Sequence, residues 1–188
     1  MAASLTGLIT RIEKNAGETD LPVELWQPQE IVQIDLAIDA QGQWYHQGQP
    51  FTRGSLVRLF SRLLRREKDG HYYLVTPVEK ARVEVAEVPF IVVAADRLGV
   101  GDEAHISFTT QVSDRVPLDA EHPLRVSFSE ADEPRPYVLV RPGLEARLLP
   151  QVFYQLVDWA EAEEQEGQTC LTLTSYQHTF ELGCFFDS

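Results

Sequence analysis

The sequence predicts a soluble α+β chain arranged as two small β-rich units, and three observations predict it. Apolar and polar residues alternate with a period of two in many short stretches, as half-buried strands require. One stretch, 55–66, has helical spacing and lies between such strands in the first half. The length of 188 residues is long for one small domain and short for two large ones.

Taken in order, Ser4 caps a first helix whose Leu5, Leu8, Ile9 and Ile12 fall at i, i+3, i+4 and i+7, with Asn15 and Gly17 ending it. Pro22 and Pro28 make 21–28 an irregular strap. Ile34, Leu36 and Ile38 alternate with Asp35, Ala37 and Asp39 as a strand, 39–42 turns the chain, and 43–46 returns as its hairpin partner. Gly48-Gln49-Pro50 breaks the chain before Phe51. The helix 55–66 carries Leu56, Val57, Leu59, Phe60, Leu63 and Leu64 on an apolar stripe, with Arg58, Arg62, Arg65 and Arg66 largely opposite. Asp69-Gly70 ends it and launches a strand over 71–76. After Pro77, Ala81, Val83 and Val85 alternate with Lys80, Arg82 and Glu84. The first half is therefore β-β-α-β-β with an antiparallel sheet.

The second half is strand-rich. Ile106, Phe108, Thr110 and Val112 alternate with polar residues, as do Leu124, Val126 and Phe128. A strand over 137–141 precedes a loop or short helical turn. Pro150 suits the first turn of a helix containing Val152, Phe153, Leu156 and Val157. Leu171 with Leu173, and Phe180 with Leu182, give a closing hairpin. The boundary between the halves falls near Val88-Pro89.

Composition narrows the function classes. Apolar residues make up 44% and charged residues 24%, an ordinary globular balance. The longest apolar stretch, 88–95, is far too short to cross a bilayer, and the N-terminus shows no secretory signal. Cys170 and Cys184 are the only cysteines, so no disulfide framework is expected. They read as reduced thiols in a cytoplasmic protein. A net charge of −13 disfavours nucleic-acid backbones. The charge is uneven: 53–82 hold eight of the sixteen basic residues, whereas 156–188 hold seven acids and no Lys or Arg. Such asymmetry orients an encounter with a partner or with a second copy.

Strings that carry familiar chemistry are missing: there is no Gly-x-Ser-x-Gly elbow, no Walker-type loop and no His-Glu-x-x-His helix. Gly99-Val100-Gly101 lies between two strand patterns and reads as a hairpin turn. Cys170, His178 and Cys184 have the chemistry of zinc ligands but lack a compact Cys-x-x-Cys pair, so no metal and no cofactor is expected. Arg53, after the aromatic segment 44–51 and just before a helix N-terminus, suits a carboxylate or phosphate. The competing reading pairs it with a local acid. Arg141, Glu145 and Arg147 surround a Pro-Gly turn, and Glu79 and Lys80 lie beside the turn at Pro77. Structural ion pairing competes with binding at both. The basic helix reads as solvated on its charged face.

The strings Trp44-Tyr45-His46-Gln47-Gly48, Leu56-Val57-Arg58-Leu59-Phe60, Tyr73-Leu74-Val75-Thr76-Pro77-Val78-Glu79-Lys80 and Pro136-Tyr137-Val138, with Arg141 and Gly143-Leu144-Glu145-Ala146-Arg147, resemble the bacterial family described as domain of unknown function 1285. The resemblance runs from about Leu21 to the C-terminal strands. The N-terminal helix and the acidic stretch Glu161 to Glu166 lie outside it. It implies two abutting domains, an α+β roll and a mostly β roll, in a proteobacterial cytoplasmic protein. It implies no activity, so no catalytic residue is carried over. The resulting layout is a helix in 1–20, an α+β domain in 21–88, and a mostly β domain in 89–188 with a helix near 150–164.

The reading that follows is a non-catalytic binding or interaction module. Its ligand is a small anion or an acidic protein segment, bound where the two domains meet, with Arg53, Lys80, Arg141, Glu79 and Glu145 as candidate contacts. One rival is a small-substrate enzyme in which Glu79 or Glu145 works with His122. Another is a structural role as a homo-oligomer. Neither nucleic acid nor a membrane is an expected partner.

Overall fold

Leu8 and Ile12 lie one turn apart and are both buried, which fixes the inward face of α1 (Leu5–Asn15). In the computed structural model, the described residues are 5–15, 21–131, 133–165 and 167–186. The proposed cap Ser4, the stop at Gly17 and Glu166 of the acidic stretch lie outside them. The chain divides into two units, Met1–Pro89 and Phe90–Ser188.

In the first unit, α1 leads into the irregular strap, which contains one 3-10 turn at Val23–Leu25. Then come β1 (Glu30–Ile38), β2 (Trp44–His46), β3 (Gln49–Pro50), α2 (Gly54–Leu63), β4 (Leu64–Arg66), β5 (Tyr72–Val75) and β6 (Glu79–Val85). They form a six-stranded sheet in the order β3-β2-β1-β6-β5-β4. Leu36, Ile38, Leu74, Ala81 and Val83 are buried from the sheet, and Leu56, Phe60 and Leu63 from α2. Trp44 is fully buried with its ring 5.7 Å from that of Phe60, and Phe51 meets Phe60 edge-on at 5.6 Å.

Three expectations for this unit need correction. The sheet is mixed, because β1 pairs with β6 in parallel. The break at Gly48-Gln49-Pro50 includes the short strand β3, paired with β2. The helix stops at Leu63, not Arg66: Leu64 turns extended (φ −73°, ψ 133°), and 64–66 pair with β5. The apolar spacing suits a helix there, but the ladder to β5 and the burial of the Arg65 side chain override it.

The second unit comprises β7 (Phe90–Leu98), β8 (His105–Thr110), β9 (Arg115–Pro117), β10 (Leu124–Phe128), β11 (Pro134–Arg141), β12 (Leu144–Leu148), α3 (Pro150–Trp159), β13 (Glu161–Gln165), β14 (Gln168–Ser175) and β15 (His178–Phe185). One sheet runs β10-β11-β12-β7-β8-β9 and the other β13-β14-β15. Buried Phe90, Val92, Ile106, Phe108, Leu118, Val138, Ala146 and Leu148 come from the first sheet and its loops; Val152, Phe153 and Leu156 come from α3, and Leu173 and Leu182 from the second sheet. Ser175 is fully buried, accepts the Ile106 N–H at 2.9 Å and donates to the Leu118 carbonyl at 2.6 Å. That joins β14 to the first sheet by polar bonds as well as packing.

Here too the observed elements differ from the expected ones. The supposed loop after β11 is strand β12, parallel to β7. The helix near 150–164 ends at Trp159, and the acidic residues after it form β13, with 161–164 exposed. Cys170 and Cys184 are not thiols. They face one another across β14 and β15 and form a disulfide. Only the hairpin register brings them together, and cysteine spacing does not reveal register. Among the described residues, no helix is long and apolar enough to cross a membrane.

Candidate functional site

The turn after α2 concentrates charge because β4, β5 and β6 lie side by side. Arg65 faces Tyr73, and Tyr73 faces Arg82. Arg65 is buried. It donates to the carbonyls of Val23 and Trp26, both at 2.8 Å, and to Glu67 at 2.6 Å. Its guanidinium fork thus pins the strap to the sheet edge. Lys80 donates to the other Glu67 oxygen and lies 4.6 Å above the Tyr73 ring, whose hydroxyl donates to Asp69. Burial pushes the Glu67 carboxyl up, but the bonds from Lys80 and Arg65 outweigh it and hold it below its ordinary value. Asp69 is also held down, first by the His71 N–H and then by the Tyr73 hydroxyl. The same bond to Asp69 raises the Tyr73 hydroxyl.

At the other end of α2 the charges are unspent. Arg53 occupies the N-cap position in an extended conformation (φ −86°, ψ 99°), without a side-chain cap bond and with no acid in the first turn. Arg53 and Arg58 are exposed, and no salt bridge joins either to an acid among the described residues. Arg58 Nη1 lies 3.6 Å from where a Cβ on Gly54 would sit, so its guanidinium lies beside the first turn.

In the second unit the candidates are already engaged. Glu145 on β12 is held by Arg125 on β10 through two bonds of 2.6 and 2.8 Å. The Arg125 guanidinium also lies 4.1 Å above the Tyr137 ring. Arg141 is half-buried, its guanidinium 5.6 Å above the Phe90 ring. His122 Nδ1 is 2.8 Å from Asp119. Burial raises the Asp119 carboxyl, and the bonds from His122 overcome this to leave it lowered.

Of the five candidates, Lys80 and Glu145 belong to ion-pair networks, and Glu79 is buried at the head of β6. Arg141 lies over an aromatic ring, and Arg53 alone stands exposed at an uncapped helix start. Glu145 and His122 are each taken by a separate partner. Sequence reasoning missed Arg58, Arg65, Glu67 and Arg125. The cluster 65–69 carried a local signal, an alternation of signs before a Gly turn. Arg125 carried none, since its partner lies twenty residues away across two strands.

One further cluster lies on the second sheet: the ligand atoms of Cys170, Glu181 and Cys184 all fall within 4.8 Å of one another.

Two family models match the chain. Residues 21–88 match the model described as "Domain of unknown function (DUF1285), N-terminal domain", and residues 89–182 match the one described as "Protein of unknown function (DUF1285), C-terminal domain". Among solved structures, a DUF1285 family protein from Silicibacter pomeroyi DSS-3 is 37% identical, with a TM-score of 0.82 over 97% of this chain and 96% of that one. Another, from Shewanella baltica OS155, is 24% identical, with a TM-score of 0.53 over 65% of this chain and 90% of that one, and is similar in fold. No curated protein matches.

Proposed function

Because the chain belongs to the DUF1285 family, whose descriptions name no activity, we propose a function from geometry: it is a non-catalytic binding module. It captures the carboxylate or phosphate of a small anion or an acidic protein segment at the start of α2. The observation that carries this reading is the pair of exposed guanidinium groups, Arg53 and Arg58, flanking a helix start with neither a side-chain cap nor a first-turn acid. The first N–H groups of a helix attract negative charge, and a guanidinium grips a planar oxyanion through two parallel bonds. Of the other basic candidates, Lys80 already neutralises Glu67 and Arg141 lies over the Phe90 ring, which supports placing the ligand here.

The test is a set of thermal melts at low ionic strength with phosphate, citrate and a short acidic peptide. At least one of these should raise the melting temperature of the wild type, with the effect weakening as salt shortens the Debye length below about 10 Å. Arg53→Lys should leave the unliganded melt unchanged and abolish the shift, since an ammonium cannot reproduce the two-pronged contact. A wild type indifferent to all the anions, or an Arg53→Lys/Arg58→Lys variant that responds equally, overturns the proposal.

A further inference from the structure

Residues three apart on a regular strand point to opposite faces. Glu181 and Cys184 escape this rule through a bulge in β15: Leu171 faces Gly183 while the next residue, Thr172, faces Glu181, so Leu182 is the extra one. The bulge brings the Glu181 carboxylate to the side where Cys170 and Cys184 meet, and all three ligand atoms lie within 4.8 Å of one another. The ladder continues on both sides, from Thr169 opposite Phe185 to Ser175 opposite His178. The backbone ladder thus brackets the three residues on both sides. Cys170 is buried and Cys184 exposed, so one sulfur is within reach of a reductant and the other is sheltered.

We propose that these residues form a redox-gated site for a thiophilic divalent cation such as Zn2+, closed while the disulfide is intact and opened by a dithiol reductant. In the opening step, a thiolate of the reductant attacks Cys184 Sγ. The Cys170–Cys184 bond breaks, and Cys170 leaves as a thiolate that takes up a proton. The reductant's second thiol then displaces Cys184, so two electrons pass to the protein and the reductant leaves as its own disulfide. Freed of the bond, the two sulfurs rotate apart. Two thiolates on one tetrahedral zinc stand about 3.8 Å from each other, as Zn–S bonds of ~2.3 Å require, so the sulfurs must leave their bonded positions for the metal to enter. Binding releases the two thiol protons, Glu181 supplies a third ligand, and water completes the tetrahedron. Two sulfurs with one carboxylate favour zinc over magnesium or calcium, which take oxygen ligands. This site is independent of the anion surface on α2.

The experiment titrates Co2+, a spectroscopic stand-in for zinc, into full-length protein in two forms, disulfide-intact and fully reduced. Circular dichroism monitors the fold of each. The reduced protein should stay folded and develop the thiolate-to-cobalt charge-transfer band at one equivalent, with Zn2+ displacing it; the disulfide form should show none. Glu181 is exposed, so Glu181→Gln should fold normally. It should weaken binding by at least the roughly tenfold that losing even an outer partner of a metal ligand costs. A folded, reduced protein without the band overturns the proposal. So does a reduced protein that unfolds, because the disulfide is then a structural staple, and so does equal affinity in Glu181→Gln.

Discussion

Replacing Arg65 removes three bonds at once: two to strap carbonyls and one to Glu67. Arg65→Ala leaves buried acceptors without donors, and we expect a loss of about 3–5 kcal/mol in urea unfolding. Arg65→Lys should recover only part of it, because one ammonium cannot span the fork. The same cluster sets an acid response. The folded-state Glu67 carboxyl lies below its ordinary value, despite burial, because Lys80 and Arg65 bond it. Its contribution to stability is therefore complete above the unfolded carboxylate value of about 4.3 and fades as pH falls through the lower folded value. Glu67→Gln should flatten that part of a stability–pH curve. A curve parallel to wild type between about pH 3 and 6 contradicts the assignment. At this scale the sequence was least legible. Sixteen basic residues invite guesses about which is free, but cross-strand register decides it, and Arg53 differs from Arg125 only in where its neighbours fold.

Elements with a local cause were readable. Period-two alternation marks β6 and β8, and Pro150 marks the start of α3. The failures came where two patterns compete. Residues 64–66 continue the apolar spacing of α2 yet join the sheet, and β12 follows a Pro-Gly turn that hides a hairpin between β11 and β12. Parallel pairing of β1 with β6, and of β12 with β7, has no local signature at all. Where turn chemistry does dictate an element, substitution should be costly. Gly99, in the turn between β7 and β8, has φ +74°, and a Cβ there would stand 2.3 Å from the Glu103 carbonyl oxygen. Gly99→Ala should therefore destabilise by more than the ~1–2 kcal/mol of left-handed backbone alone. Gly48, with φ +74° and open space around it, calibrates that backbone cost through Gly48→Ala. If the two variants melt alike, the clash at Gly99 is relieved at no cost.

At the scale of the whole molecule, the strands of the described residues sort by unit: β1 to β6 form one sheet in the first, and β7 to β15 form two in the second. Each unit also has its own buried aromatic anchors, Trp44 and Phe60 in the first and Phe90 and Phe108 in the second. The two family models meet at residues 88 and 89, beside the division at Pro89. Ladders and cores that close locally are what independent folding requires, and chains of about 100 residues bury enough surface to be stable alone. Residues 90–188 expressed alone should therefore unfold cooperatively in urea, and so should residues 1–89. The tryptophans divide conveniently: Trp159 reports the second unit, Trp26 and Trp44 the first. In 90–188, Trp159 fluorescence and far-ultraviolet circular dichroism should trace one shared sigmoid, since α3, which carries the probe, also supplies buried Leu156 to that core. A gradual, sloping transition, or a far-ultraviolet spectrum of random coil, means that this core is completed by the rest of the chain. The unit would then have to be treated as half of one cooperative structure.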